Sequence, residues 1–211
     1  TWRGDDLIIG DQLTFFEGRS FAEKAQQTQV ATTAQWSRVV NTWSSDPALP
    51  FRKEVAVSAD GTDVELSIRA NMPSYSQKEG IASFGYFFRV PMGLVKGMKC
   101  TAIIGRTSRP KTVTGVVDGT TNSLPPSPTR YLVLEGNGRS LVLDFNPEGV
   151  GTYSDFGPGN IVGCWTVQQS PEYLQCGIGF NNTDYGGVLS GKVRFFEGTM
   201  ADYLKRHAYR N

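Results

Sequence analysis

Alternation of apolar and polar residues predicts most of the secondary structure of this chain. In residues 64–71 (VELSIRAN), Val64, Leu66 and Ile68 point to one side, while Glu65 and Arg69 point to the other. A period of two is that of a β-strand with one buried face. Similar segments predict further strands at 52–59, 83–90, 98–105, 112–117, 131–136, 139–145, around 164–168, 173–180 and 191–196.

Glycine turns separate these strands. Asp60-Gly61 lies between 52–59 and 64–71, and Asn137-Gly138 lies at the centre of YLVLEGNGRSLVLDFNP (131–147). Such dipeptides adopt the positive φ angles of tight hairpins. About ten to twelve short strands divided by Gly, Pro and Asn turns predict an all-β fold, a single antiparallel β-sandwich or jelly roll.

The phrase FFEG occurs twice, at 15–18 and 195–198, and a helix-start signal follows each copy. In SFAE and TMAD, a hydroxyl residue is followed three positions later by an acid, which is the spacing of a capping box. We therefore predict two short peripheral helices after the first and last strands, over about 20–27 and 199–208. The shared pattern also predicts that the two terminal strands pair side by side.

The length of 211 residues fits one β-sandwich domain, residues 1–211, that buries its core without needing disulfides or metals. Residues 120–130 (TTNSLPPSPTR) are interpreted as a Pro-rich surface loop, because neither flank has enough strands for its own core. Cys164 and Cys176 flank a plausible hairpin, and the spacing leaves two alternatives open, a disulfide or two small buried thiols.

Charge excludes several classes of partner. The net charge is +1, from 21 basic and 20 acidic residues, without a basic block, so we expect no nucleic acid partner. No apolar run is long enough for a membrane span, and no signal peptide is present. The chain begins at Thr1 without Met, which suggests a processed protein or an excised module.

Catalytic and cofactor motifs are not evident. The one histidine, His207, lies in the predicted terminal helix and is interpreted as a solvated surface residue. With no metal-ligand spacing, zinc chemistry is not expected, and GNGRS and GPGN lack the lysine of a phosphate loop. Glu135, Asp144, Glu148 and Asp155 are interpreted mainly as turn and solvent-facing acids. We expect no cofactor, and the protein is interpreted as a binding module rather than an enzyme.

The strand faces opposite the core supply candidate ligand-binding residues. Planar aromatic rings stack on the apolar face of a pyranose, while guanidinium and carboxylate groups bind its hydroxyls. The alternative is that loops or the two helices simply cover this face. A polar loop, GFNNTDYGG (179–187), offers a second position, although its composition is also that of an ordinary turn. The candidates are Glu65, Arg69, Phe87, Arg89, Asp144, Trp165, Asn182, Asp184 and Tyr185.

Several segments together resemble a known family. They are LTFFEG, QWSRVVNTWS (35–44), DVELSIRANM followed by FGYFFRV, the hairpin at 131–145, and CGIGFNN with the closing GKVRFFEG. This arrangement resembles the concanavalin A-like, laminin-G-type sandwich of bacterial carbohydrate-active proteins. The resemblance implies neighbouring first and last strands, a concave face or loop edge that binds glycans, and in some members a structural calcium. The acid and Arg/Gln/Tyr motifs of catalytic relatives are not matched here.

The resulting hypothesis is a lectin-like, non-catalytic module that binds a glycan or polysaccharide, located outside the cell or secreted, and accompanied in its protein by a neighbouring catalytic domain. A structural jelly-roll subunit, such as a picorna-like viral capsid protein, is the first alternative. A β-sandwich glycoside hydrolase or polysaccharide lyase with unrecognised acids is the second.

Overall fold

The structure is a computed structural model that describes residues 8, 10–15, 20–21, 25–34, 36–44, 51–72, 83–104, 111–120, 123–124, 129–145, 163–181 and 187–207. Within these ranges there are fifteen β-strands, all paired antiparallel, and two short α-helices. The strands are β1 (Gly10–Phe15), β2 (Ser20–Phe21), β3 (Ala25–Ala31), β4 (Trp36–Ser44), β5 (Phe51–Ser58), β6 (Asp63–Met72), β7 (Ser83–Pro91), β8 (Lys99–Ile104), β9 (Lys111–Val116), β10 (Ser123–Leu124), β11 (Thr129–Gly136), β12 (Arg139–Asp144), β13 (Gly163–Gln169), β14 (Tyr173–Asn181) and β15 (Gly187–Glu197); the helices are α1 (Met92–Val95) and α2 (Met200–Arg206).

The strands form two layers around one core. The first layer runs β2-β1-β7-β14-β13, and the second runs β12-β15-β6-β5-β4-β3, with β11, β8 and β9 beyond β12. Thr129 of β11 joins the layers through a single register pair with Cys164 of β13. Phe88 of the first layer lies across from Phe195 and Phe145, with ring centroids 5.2 and 6.3 Å away. The predicted all-β sandwich is confirmed.

Alternation along each strand decides which side chains enter this core. Leu66 of β6 and Phe195 of β15 are at most 1% exposed within it. The residues that alternate with them along each strand, such as Glu65 and Arg194, are on the opposite face of the layer. Each fully buried aliphatic or aromatic side chain contributes about 1.5–3 kcal/mol relative to exposure. The predicted hairpin turns are confirmed as well: Asn137 and Gly138 have φ of 53° and 70°, and Gly61 has φ of 72°.

The terminal helix α2 covers part of the outer face of the second layer. Thr199 Oγ1 accepts from the N–H of Asp202, and the Asp202 carboxylate accepts from the N–H of Thr199, so the predicted capping box is confirmed. Tyr203 packs with Tyr131 and Phe196 in a second, smaller buried cluster. Hydrophobic burial beneath it therefore fixes α2 on the sheet.

The helix predicted over 20–27 is wrong. Residues 20–21 form β2, and residues 25–27 begin β3, which pairs with β4 from Ala25–Ser44 onward. A capping pattern is a local signal, and strand pairing in the folded chain overrides it. The second short helix is instead α1, which follows β7.

The predicted pairing of the terminal strands is also wrong. β1 pairs with β2 and β7, whereas β15 pairs with β12 and β6, so Phe15 of the first phrase and the described second phrase belong to different layers. Four matching residues specify a strand followed by a glycine, but they carry no information about which strand becomes the neighbour.

Two further expectations meet the structure only in part. Cys100 and Cys176 are buried thiols without a disulfide, so the Cys164–Cys176 disulfide alternative is wrong; Cys176 pairs in register with Val167. In the Pro-rich segment 120–130, Ser123–Leu124 form β10 against β13, and Thr129 and Arg130 are buried at the start of β11. The prolines of that segment lie outside the described residues. None of the described helices has the length and apolarity needed to cross a membrane.

Candidate functional site

The predicted site residues lie on two opposite faces of the sandwich. Phe87 and Arg89 alternate with buried Phe88 on β7 and occupy the outer face of the first layer. Glu65, Arg69 and Asp144 occupy the outer face of the second layer. Since the main core separates the two faces, these residues do not form one site. Trp165 belongs to β13, but its side chain and the loop residues Asn182, Asp184 and Tyr185 lie outside the described residues.

On the second layer, Glu65 is enclosed by two cations. Arg194 Nη2 lies 2.7 Å from Glu65 Oε2, and Lys192 Nζ lies 2.9 Å from Glu65 Oε1. Antiparallel pairing of β15 with β6 places Arg194 directly opposite Glu65. With 6% exposure, Glu65 is a buried carboxylate whose charge is matched inside the protein.

His207, at the end of α2, connects that pair to Asp63. Arg194 Nη1 lies 3.0 Å from His207 Nδ1, and His207 Nε2 lies 2.7 Å from Asp63 Oδ1. A guanidinium can only donate, so Nδ1 accepts, and Nε2 carries the proton that it donates to Asp63. Burial, and next the charge of Arg194, lower the pKa of His207 below its usual 6.5. The neutral imidazole is therefore the form that fits this position.

Arg206 of α2 reaches the β5–β6 turn beside it. Its Nε lies 2.7 Å from Asp63 Oδ2, and its Nη1 lies 2.8 Å from Asp60 Oδ2. The hydrogen bond from Arg206, followed by those from Ser58 and Thr62, holds the pKa of Asp60 well below its usual range. The Asp-Gly turn predicted from sequence is thus also an anchoring point for the terminal helix.

Asp144 lies beneath the same helix. It is fully buried, and its Oδ2 accepts a hydrogen bond from the Tyr203 hydroxyl at 2.5 Å. Glu65 and Asp144 lie on the strand faces opposite the main core, but both are buried. Arg194 and Lys192 of β15 enclose Glu65, and Tyr203 of α2 contacts Asp144, so neither carboxylate has the exposure that ligand binding needs. Arg69, farther along β6, is exposed.

The outer face of the first layer carries a different arrangement, here called the β7–β14 platform and defined by Phe87, Arg89, Tyr173 and Gln175. Arg89 Nε donates to Gln175 Oε1 at 3.2 Å, and the Arg89 Cζ lies 4.8 Å from the Tyr173 ring centroid. All four side chains are half-buried. A guanidinium stacked on a ring is preorganised, since less rotamer entropy is lost when it binds a ligand.

Gly177 leaves the space that the Phe87 ring fills. It pairs in register with Phe87, and a Cβ added to it would lie 2.5 Å from Phe87 Cδ1 and Cε1. The ring therefore lies against the neighbouring strand. On the other side of β7, Gly10 is the residue of β1 that pairs with Arg89, and glycine carries no side chain at that position. The platform presents two planar groups, the Phe87 ring and the Arg89 guanidinium, both partly accessible.

Sequence reasoning missed several of these partners. Gln175 and Tyr173 alternate with buried Leu174 and Cys176, so the pattern placed them on an outer face, but only the strand register brings Gln175 opposite Arg89. His207 was interpreted as solvated and is instead partly buried between two charged residues.

Across the described part of the chain, no three His, Cys, Asp or Glu side chains come together as ligands of a metal ion. The acids of the second-layer network, defined as Asp60, Asp63, Glu65, Lys192, Arg194, Arg206 and His207, form ion pairs with its Arg, Lys and His side chains.

Comparisons with known proteins locate the fold. No family model matches the sequence, and no curated protein matches it either. The galactosidase domain of the alpha-galactosidase-sucrose kinase AgaSK superposes with a TM-score of 0.50 at 8% identity, covering 90% of this chain and 30% of that one. A putative aldose 1-epimerase from Escherichia coli K12 gives 0.46 at 8% identity, covering 92% and 81%. Slr1438 from Synechocystis sp. PCC 6803 gives 0.44 at 10% identity, covering 82% and 66%. The likeness to AgaSK concerns the fold alone.

Proposed function

We propose that this chain is a non-catalytic carbohydrate-binding module that recognises a glycan or polysaccharide through the β7–β14 platform. The observation that carries the proposal is the stacking of Arg89 on Tyr173, with Gln175 holding its Nε. A sugar needs a flat apolar contact for its ring and donors for its hydroxyls, and the platform offers both.

The second-layer face supports this choice by contrast. On that face Glu65 pairs with Arg194, Asp63 pairs with Arg206, and Asp144 accepts a hydrogen bond from Tyr203. A catalytic pair would need carboxyl groups that reach a substrate, and Glu65 and Asp144 are 6% and 0% exposed. A binding role therefore fits the described residues better than hydrolysis or lysis.

The wider setting belongs to the same proposal. The chain spans 30% of the galactosidase domain of AgaSK, which fits an accessory domain beside a catalytic one. The resemblance to concanavalin A-like, laminin-G-type domains and a location outside the cell are parts of this hypothesis.

Affinity electrophoresis through gels containing galactomannan, xylan, mixed-linkage glucan or polygalacturonate tests the proposal. We expect at least one polymer to retard the protein, and the Arg89→Ala and Tyr173→Ala variants to migrate faster in it. Arg52→Gln is the charge control, since Arg52 is exposed on β5 and paired with Glu54. Absence of retardation in every gel, or retardation unchanged in both platform variants, would refute the assignment.

A further inference from the structure

The described arginines differ in the groups that lie next to their guanidinium charge. Arg52 contacts Glu54, Arg194 contacts Glu65, and Arg206 contacts Asp60 and Asp63. Arg89 has only neutral partners in the described structure, the Gln175 amide and the Tyr173 ring.

The guanidinium nitrogens of Arg89 differ in their hydrogen bonding. Its Nε donates to Gln175, whereas no described residue accepts from its two terminal nitrogens. Those terminal nitrogens form a planar fork that matches the two oxygens of a carboxylate. Stacking on Tyr173 fixes the plane of this fork before any ligand arrives. Among the described residues Arg69 also contacts neither a carboxylate nor a ring, but it is exposed, so it is a hydrated surface charge.

The residues that pair with Arg89 in register, and those next to it on its face of β7, are uncharged. Gly10 and Gln175 flank it in register on the two neighbouring strands, and Phe87 and Pro91 flank it along β7. A half-buried cation whose flanking side chains are uncharged attracts an anion more strongly than one screened by nearby acids.

The spacing along β7 matches one sugar unit. Phe87 and Arg89 are two residues apart on one strand face, about 7 Å at the usual rise per residue. A pyranose that stacks on the Phe87 ring would extend its ring substituent toward Arg89.

From these observations we propose that the β7–β14 platform binds an acidic polysaccharide, with the carboxylate of a uronic acid unit on the terminal nitrogens of Arg89 and the sugar ring on Phe87. This inference rests on the proposed carbohydrate-binding function. It names the ligand class of that site as uronate-containing polymers.

A matched pair of polymers tests it without any variant. Polygalacturonate and fully methyl-esterified polygalacturonate share a backbone, but esterification removes the carboxylate charge. We expect the wild-type chain to bind the free acid about tenfold to a hundredfold more tightly by isothermal titration calorimetry, the range expected for a hydrogen-bonded charge. Raising the ionic strength should weaken only the binding of the free acid.

Arg89→Gln, Arg89→Lys and Arg52→Gln assign that preference to a residue. Arg89→Gln should bring the two polymers to equal affinity, Arg89→Lys should retain part of the difference, and Arg52→Gln should retain all of it. Circular dichroism melts show whether each variant is folded. If a variant does not fold, the comparison of the two polymers with the wild-type chain still tests the preference for the free acid.

The failures are distinguishable. Equal binding of the acid and the ester, or tighter binding of neutral galactomannan, overturns the uronate inference while the carbohydrate-binding function stands. A preference for the acid that survives Arg89→Gln overturns the assignment to Arg89. Binding of none of these polymers or of the other gel polymers overturns both proposals.

Discussion

The two outer faces of the sandwich differ in whether their buried or half-buried charged side chains have partners of opposite charge. On the second layer, Glu65, Asp63 and Asp144 are each within hydrogen-bond reach of Arg, His or Tyr side chains. Side chains of α2 contact Asp63 and Asp144 directly. On the first layer, Arg89 stacks on a ring among neutral groups and stays half-buried. Internally matched charge is the mark of a structural contact, whereas an unmatched cation in a preorganised position is available to a ligand.

The ion pairs of the second-layer network differ in how exposed they are to solvent. Arg206 and Asp60 have side chains that are 39% and 49% exposed, and such a pair contributes only about 0–1 kcal/mol. The Asp63 side chain is 4% exposed, so removing its partners leaves a charge that water cannot solvate. The attachment of α2 should therefore depend on Tyr203 and Asp63 more than on the surface pair.

The largest effect is expected for Tyr203→Ala. Tyr203 is fully buried, and its loss leaves a cavity over Tyr131 and Phe196 and removes the hydrogen bond to Asp144. We expect the free energy of unfolding to fall by about 3–5 kcal/mol in urea denaturation. Tyr203→Phe keeps the ring and should cost about 1–3 kcal/mol. A loss below 1 kcal/mol for the alanine variant would mean that α2 does not depend on this contact.

Asp63→Asn comes next. The amide keeps the volume of the side chain but removes the charge that faces Arg206 and His207. We expect a loss of about 1–3 kcal/mol in unfolding free energy, because two donors lose an ionic acceptor in a largely buried position. Glu54→Gln, which breaks the exposed pair with Arg52, is the control and should change stability by less than about 1 kcal/mol. Equal effects of the two would contradict the distinction between buried and surface pairs.

On the first layer, Gly177→Ala should affect binding and leave α2 undisturbed. The new methyl group would overlap the Phe87 ring, which must swing away from its seat. We expect weaker retardation in the polysaccharide gel, with a stability change of about 1–2 kcal/mol. Gly93→Ala is a matched control, since a Cβ there meets no atom within 4 Å. Unchanged retardation in Gly177→Ala would remove Phe87 from the platform.

The smallest effect is a pH dependence confined to the second layer. Because the pKa of His207 is lowered in the folded protein, its stabilising contribution is complete above the unfolded value near 6.5 and declines as pH falls through the folded pKa. The titratable groups around the imidazole are Asp63, Arg194, Tyr203 and Arg206. Unfolding free energies between pH 5 and 8 should therefore fall on the acid side, and His207→Gln should flatten that slope. An unaltered slope would exclude His207 as its source.

Strand positions and turns were predictable because they depend on local patterns. Alternation located β6, β7, β12 and β15 and assigned Glu65 and Arg89 to outer faces, and Asn137-Gly138 specified its hairpin through positive φ. The capping box at Thr199 was equally readable, whereas the similar signal at Ser20 failed because pairing of β3 with β4 outweighed a weak helical preference.

Neighbour relations between distant strands were decided only by the tertiary structure. Strand patterns do not encode register or order, so the sequence could not show that Glu65 meets Arg194, that Gln175 meets Arg89, or that Phe87 and Glu65 lie on opposite sides of the core. The same limit explains the wrong pairing of the terminal strands. By itself the sequence determined which residues face inward, because burial follows from periodicity; which outward residues share a surface depends on long-range pairing, and only the folded chain determines that.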